Sequence, residues 1–493
     1  MPVKYKRYLI FLIISLLLFG LRIYLLWETP LYDYDSVKNY VVAGEIASGD
    51  LTNLFQRRIP TVHLFNALLY SVASEPFFLV SFHALISTLA LGLFVFWISE
   101  RSGLDLKDSS LLYLFSGTSL ILVNMSRYMS IESWTLLFFL LFIRYYLEWI
   151  EDRDPKRLWY SLILYAIATT VNYKFLFLFP LIAGIEIWIS SSFYDWRKLG
   201  MVFLILSAPF LLYSLVGWIS GAGGLKYIIV HATTLLSFQH NPIQSGGSFD
   251  YDLGVYPRFI WFFQNPLVIP AFLWILWSYS RSWRDLKQNP NFLGYLLLFT
   301  LNYLVLAFLI RKAPRGLIFV DVFLSYFLFM LIFQLFRKKW LATLIVILSI
   351  GFNLLKIQQE IYPYSQTAYP EMAAFIEEQG IQKLAITTGM GIVPYLPEGT
   401  EWEVLFNDRD LDELKSEGYT HALLDDYRII TGMKDFKLLE GLDPELQLEE
   451  KSLHSPILAL EHAEFVRIGY SEAMDLNKEI RSRPFNLVLV RLD

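Results

Sequence analysis

Apolar runs long enough to cross a hydrocarbon core recur through the first 356 residues, at 8–27, 76–98, 109–125, 133–150, 158–172, 175–193, 199–219, 258–280, 292–310, 316–336 and 340–356. A span needs about 20 apolar residues. In lipid the backbone must satisfy its own hydrogen bonds, so runs of this length fold as helices. The chain of 493 residues is 55% hydrophobic and 17% aromatic with 18% charged, a balance that a soluble domain of its size does not need. The 40 Phe and 30 Tyr suit lipid-facing surfaces and interfacial belts. The expectation is an α-helical polytopic membrane protein of about eleven transmembrane helices. Lys4, Lys6 and Arg7 precede the first run as in a signal peptide. That run lacks a small-residue cleavage site, and it reads as a retained signal-anchor helix.

Charge orients the spans. With eleven spans one side receives Lys4, Lys6 and Arg7, then Arg101 and Lys107, Arg153, Lys156 and Arg157, Arg197 and Lys198, Arg281, Arg284 and Lys287, and finally Arg337, Lys338 and Lys339. Every loop on that side is basic, as the cytoplasmic side should be. The shorter apolar stretch 61–74 reads as an interfacial helix, because counting it as a span would send the later basic loops outward. The N-terminus is therefore expected in the cytoplasm and the end of the chain outside, in the inner (plasma) membrane of a cell.

From about residue 357 the composition turns polar and no further span occurs. A soluble extracytoplasmic α/β domain is expected over 357–493, after a membrane domain over 1–356. Helices at Pro370–Glu378 and Asp408–Ser416 alternate with strands at Lys383–Thr388 and Thr420–Leu424, and Phe485–Val490 closes the set. This domain holds no nucleotide-binding glycine fingerprint and is expected to shape access to the acceptor rather than to react. The absence of cysteine removes disulfides, thiolate catalysis and Cys-ligated metal sites, and the seven His show no metal-ligand spacing. No basic tail suggests nucleic acid.

The outer loops are where chemistry is expected. The first carries Leu31-Tyr32-Asp33-Tyr34-Asp35, in which an extended or loosely turned backbone would point Asp33 and Asp35 toward one substrate or cation. Solvated loop acids are the ordinary alternative. Asp250 and Asp252 repeat the spacing in the Gly- and Ser-rich loop 220–257, where exposed acids in a mobile loop are the favoured reading. Outer cations at Arg57, Arg58, Arg127, Lys174, Arg311, Lys312 and Arg315 run against the topological preference, and a phosphate is the natural reason for them.

Segments 33–40, 58–60, 127–132, 174 and 311–315 together resemble the GT-C superfamily of polyprenyl-phosphate-sugar-dependent membrane glycosyltransferases, in its protein O-mannosyltransferase and aminoarabinose transferase branch. Asp35, Tyr40, Ala43 and Gly49-Asp50 match the acidic motif after the first helix. Arg58-Ile59-Pro60 stands where the family has Lys-Pro-Pro, with Arg for Lys and the first Pro missing. Arg127 through Glu132 is similar to the family's Arg-to-acid segment, with Glu where Asp is frequent, and Arg315 looks like its Arg near the sugar donor.

The resemblance implies a GT-C-like fold with interfacial helices in the first outer loop. It also implies a polyprenyl-phosphate-linked sugar as donor and a lipid, protein or glycan as acceptor. Asp35 is then the base that takes the acceptor's proton during an inverting displacement. Asp33 shares the site, pairs with an Arg or orients Asp35. Glu132 is a further acid of the site, or half of a helix-end ion pair with Arg127. Arg58, Arg127, Lys174 and Arg315 are the candidates for the donor phosphate, each with snorkelling or a surface ion pair as its alternative. Arg22 lines the lipid-phosphate path or snorkels, and snorkelling is preferred. Asp33, Asp35 and Glu132 offer hard oxygen ligands to a divalent metal, but the branch works without one and no cofactor is expected. A transporter of lipid-linked sugars, a glycan polymerase or ligase, and a non-enzymatic scaffold are the competing functions.

Overall fold

A computed structural model of the chain describes residues 3–27, 29–55, 59–190, 193–223, 229, 254–281, 283–309, 314–387, 391–405, 411–430, 436–457, 478, 482 and 484–492. The protein is predominantly helical, with several long apolar helices as in helical membrane proteins, and it carries one small sheet. Among the described residues, Pro76–Arg101, Ile131–Asp152, Tyr173–Ser190, Trp196–Ile219 and the stretch opening at Lys339 are long and apolar enough to cross a membrane.

The chain forms two compact units. The first contains α1 (Val3–Ile23), α3 (Pro60–Val72), α4 (Pro76–Arg101), α5 (Leu106–Gly117), α6 (Leu120–Met125), α7 (Ile131–Asp152) and α8 (Pro155–Val171). It continues through α9 (Phe179–Ser190), α10 (Trp196–Ile219), α11 (Val255–Phe263), α12 (Val268–Ser280), α13 (Phe292–Leu309), α14 (Asp321–Leu335) and α15 (Lys339–Glu360). Helix α2 (Tyr34–Ala47) is shared, its residues up to Val41 belonging to the second unit.

Local chemistry starts these helices. Pro76 and Pro155 occupy first-turn positions, where the missing N–H costs nothing. Asp105, Asp154 and Asp195 cap the helices that follow them by accepting backbone N–H bonds from Asp108, Lys156 and Lys198. The run 109–125 is broken at Thr118-Ser119, and 258–280 is broken between Gln264 and Leu267, where Asn265-Pro266 interrupts the ladder.

Helix α7 is the centre of this unit, packed on α4 and α8 with 78% of its spanning window buried. Helix α10 buries none of its window and exposes Phe203, Leu204, Leu212 and Trp218. An apolar surface of that extent suits lipid. Ion pairs gather one end of the bundle. Arg7 meets Glu100 at 3.4 Å, Arg101 meets Glu151 at 2.6 Å and Asp152 at 3.0 Å, and Lys339 meets Asp105 at 2.7 Å and Asp108 at 2.9 Å.

The second unit joins Tyr24–Val41 to Ile357–Asp493. The division after Lys356 falls where the composition changes, but Tyr24–Val41, assigned from sequence to the membrane domain, clusters with the C-terminal part. Its sheet has strands β1 (Lys383–Ile386), β2 (Glu401–Val404), β3 (His421–Asp425), β4 (Pro444–Glu449) and β5 (Asn486–Arg491) in the order β2-β1-β3-β5-β4. Strand β1 runs parallel to β2 and β3, and β5 runs antiparallel to β3 and β4.

Both sheet faces are covered. Leu384, Ile386, Leu423, Leu487 and Leu489 pack against Met372, Ala373 and Ile376 of α16 (Tyr369–Glu378). On the other face Ala385, Ala422, Leu424 and Val490 meet Leu411 and Leu414 of α17 (Leu411–Ser416) and Leu439. This alternation is the period-2 pattern of a strand buried on both sides.

Candidate functional site

Asp33 and Asp35 do not lie in an extended loop. Asp33 is the N-cap of α2, its Oδ2 accepting from the Ser36 backbone N–H at 3.0 Å and from the Ser36 hydroxyl at 3.2 Å, while its carbonyl accepts from the Val37 N–H at 3.1 Å. Asp35 is the second residue of the helix and half-buried. Residues two apart at a helix start do not face each other, so the expectation that both carboxylates point the same way is corrected. A helix forms here because Asp33 satisfies an amide that the first turn would leave orphaned.

The segment bearing these acids packs on the α/β domain within its own unit. The Thr29 hydroxyl donates to the Ser365 carbonyl at 2.9 Å, and the Leu31 N–H donates to the Tyr395 hydroxyl at 3.4 Å. Tyr24 meets Tyr362 edge to face at 4.9 Å, and Tyr34 stacks on Tyr427 at 5.9 Å. Tyr32, Asp33 and Tyr34 line a cavity of about 20 Å³ with Tyr369, Gly391, Asp425, Tyr427 and Leu453. That is room for about one water.

Two carboxylates unused by the sequence reading sit beneath this contact. Asp425, at the end of β3, is 1% exposed, and it accepts from the Tyr369 hydroxyl at 2.5 Å and from the Tyr427 N–H at 2.8 Å. Burial raises its pKa to about 7, against the opposing pull of those two bonds. Glu450 is fully buried and accepts from the Thr367 hydroxyl at 2.5 Å, the Ala368 N–H at 2.8 Å and the Ser452 N–H at 3.0 Å. Burial raises its pKa too. Tyr369 lies against Gly391, where a Cβ would overlap its ring. An acid closing an apolar run, Ala422-Leu423-Leu424-Asp425, is the sequence signal that could have found Asp425.

In the first unit the structure brings Glu132 and Arg315 together. Glu132 is in the first turn of α7, 4% exposed, and its Oε1 is 3.9 Å from an Arg315 guanidinium nitrogen. The Ser130 hydroxyl donates to its Oε2. Arg315 lies in a 3₁₀ turn at Pro314–Phe319, and the N-terminal end of α7 favours the negative charge that holds it.

Arg127 is wholly buried and donates to the Arg22 carbonyl at 2.8 Å. Arg22 is wholly buried as well and donates to the Leu18 carbonyl at 3.0 Å, so the preferred snorkelling of Arg22 is corrected. Its side chain folds back along its own helix. Lys174 is half-buried in the 3₁₀ turn Tyr173–Leu178, whose first N–H bonds are anchored by Asn172. Asn172 in turn donates to Thr135 of α7 at 3.1 Å.

Arg57, Arg58, Arg311 and Lys312 lie outside the described residues, as do Asp250 and Asp252. Among the described residues no group of three or more His, Asp or Glu side chains is placed to hold a metal ion. Comparison with protein-family models and with curated proteins finds no match in either.

Proposed function

We propose that the chain is an integral membrane glycosyltransferase that moves a sugar from a polyprenyl-phosphate carrier to an acceptor hydroxyl on the extracytoplasmic side. The observation that carries this reading is the ion pair between Glu132 and Arg315. It joins two of the segments in which the resemblance to the GT-C superfamily lies, far apart in sequence, at the head of the most buried spanning helix. Arg315 is positioned before any donor arrives. A guanidinium presents five N–H donors in a planar fork, a geometry suited to phosphate oxygens.

The reaction follows from what the donor presents. The acceptor oxygen attacks the anomeric carbon as the carbon–oxygen bond to phosphate breaks, and the bonding pair leaves with the polyprenyl phosphate. One displacement inverts the anomeric centre. Charge grows on the phosphate, so Arg315 interacts more strongly in the transition state than in the ground state. Lys174, Arg127 and Arg58 are its proposed companions. Asp35 takes the acceptor proton, and the reaction needs no metal. Asp33, as the cap of α2, orients Asp35.

In this reading residues 1–356 are the membrane domain with eleven spans, and α2 and α3 are interfacial. The N-terminus is cytoplasmic, and the domain over 357–493 is extracytoplasmic. The ion pairs among Arg7, Glu100, Arg101, Glu151, Asp105 and Lys339 support that arrangement, since they link loops given to the same side by charge. A second reading, translocation of a lipid-linked sugar, draws on the wholly buried Arg22 and Arg127, because ionisable groups inside a bundle often mark a pathway.

Membranes carrying the protein and a panel of radiolabelled polyprenyl-phosphate sugars separate the two. Label moving from carrier to acceptor, unchanged by EDTA, is the result expected. Carrier crossing the bilayer with its sugar intact would replace this reading with transport.

A further inference from the structure

Within the second unit, segment 24–41 and the α/β domain share a contact built on two buried carboxylates and a row of tyrosines. We infer that the α/β domain holds the first turn of α2 in place through Tyr427 and Asp425, and so positions Asp35, which rests on the reading of Asp35 as the base.

The first turn of α2 is held both from within the helix and from the α/β domain. It is the start of a 14-residue helix, a length that is marginal in isolation. Asp33 caps it through Ser36. Contacts to residues 29–34 also come from far along the chain, at Ser365, Tyr395 and Tyr427.

Tyr427 in turn is fixed by its surroundings. Its N–H is held by Asp425 Oδ1, its ring packs with Leu453 and Phe485, and Asp425 Oδ2 is held by the Tyr369 hydroxyl. Glu450 ties the start of α16, through Ala368 and Thr367, to Ser452 beside Leu453. Burying two carboxylates costs stability that an apolar core would not lose. Here they brace the ring on which Tyr34 lies. The domain then acts as a positioning element. Tyr427 and Asp425 are positioning residues, acting through Tyr34.

Hydrogen exchange of the full chain in lipid nanodiscs tests this without any need for activity. In Tyr427→Ala the amides of residues 34–40 should exchange at least about tenfold faster while those of β3 and β5 keep their protection. Tyr427→Phe, which retains the ring, should restore the wild-type rate. Tyr34→Ala should give the same loosening, and the double variant should add nothing further. Unchanged protection over 34–40 in both single variants would overturn the inference.

If Tyr427→Ala also loosens β3 and β5, Tyr34→Ala, which leaves the domain's own chain intact, decides the matter by the same criterion. In the transfer assay Tyr427→Ala should lower kcat at least about tenfold at unchanged donor KM, with rescue by Tyr427→Phe. A wild-type chain that transfers no sugar would overturn the glycosyltransferase reading, while the exchange result would still decide whether the domain holds α2.

Discussion

Replacing Asp425 with Asn should remove this carboxyl's share of the pH dependence of the α/β domain's stability. The folded domain holds this carboxyl's proton up to about pH 7, whereas the ordinary value is 3.8. Between those values the folded state binds more protons than the unfolded one, so stability falls as pH rises from about 4 to about 7 and is flat above. A shift of about three units at about 1.4 kcal/mol each amounts to about 4 kcal/mol, or about a thousandfold in the opening equilibrium. Glu450 is raised by the same cause and adds to the loss with the same sign.

An Asn side chain keeps the oxygen that accepts from the Tyr427 N–H and carries no charge. Exchange of the β3 and β5 amides in the full chain, corrected for intrinsic rates, reads the difference. Wild-type protection should fall between about pH 4 and about pH 7, and Asp425→Asn should retain only the part due to Glu450. Parallel curves for the two proteins would refute the argument, as would wild-type protection that rises with pH over that window.

Other perturbations have outcomes set by the same structure. Asp33→Ala removes the α2 cap and should weaken the amides of the first turn by about 1 kcal/mol in exchange experiments, while Asp33→Ser keeps both the cap and transfer. Arg315→Met should lower kcat/KM for the donor at least about tenfold, and a double-mutant cycle with Glu132→Gln should be non-additive, because the two side chains are partners. Additive effects would separate them. Gly391→Ala should destabilise the second unit by about 1–3 kcal/mol in the same exchange assay, since the new methyl overlaps the Tyr369 ring.

Much of the helical architecture was legible because lipid-length apolar runs leave the backbone little choice. Proline marked several helix starts, at Pro60, Pro76 and Pro155. The three expected strands appear at Lys383–Ile386, His421–Asp425 and Asn486–Arg491. Strands β2 and β4 were missed because they lie at the sheet edges and read as Glu401-Trp402-Glu403 and Pro444-Glu445-Leu446, with exposed acids between half-buried apolar residues.

The start of α2 was missed because Ser36 stands where a capping box would place Glu or Gln, so Asp33 alone announced the helix. The join between Tyr24–Val41 and the C-terminal domain could not be read locally. Its contacts link residues more than 300 positions apart, and each is made by a single tyrosine, threonine or backbone group that looks ordinary in sequence. The pairing of Arg315 with Glu132 was no more legible. Each stood out as a site candidate through the family resemblance, but only the packing of the 3₁₀ turn by the head of α7 makes them a pair.

In the proposed mechanism Asp35 removes a proton during sugar transfer from a polyprenyl phosphate. Its most direct test is single-turnover transfer by Asp35→Asn beside wild type, with donor binding measured in the same membranes. Loss of transfer by at least about a hundredfold with donor binding retained is the predicted result. Transfer at the wild-type rate in Asp35→Asn would contradict it.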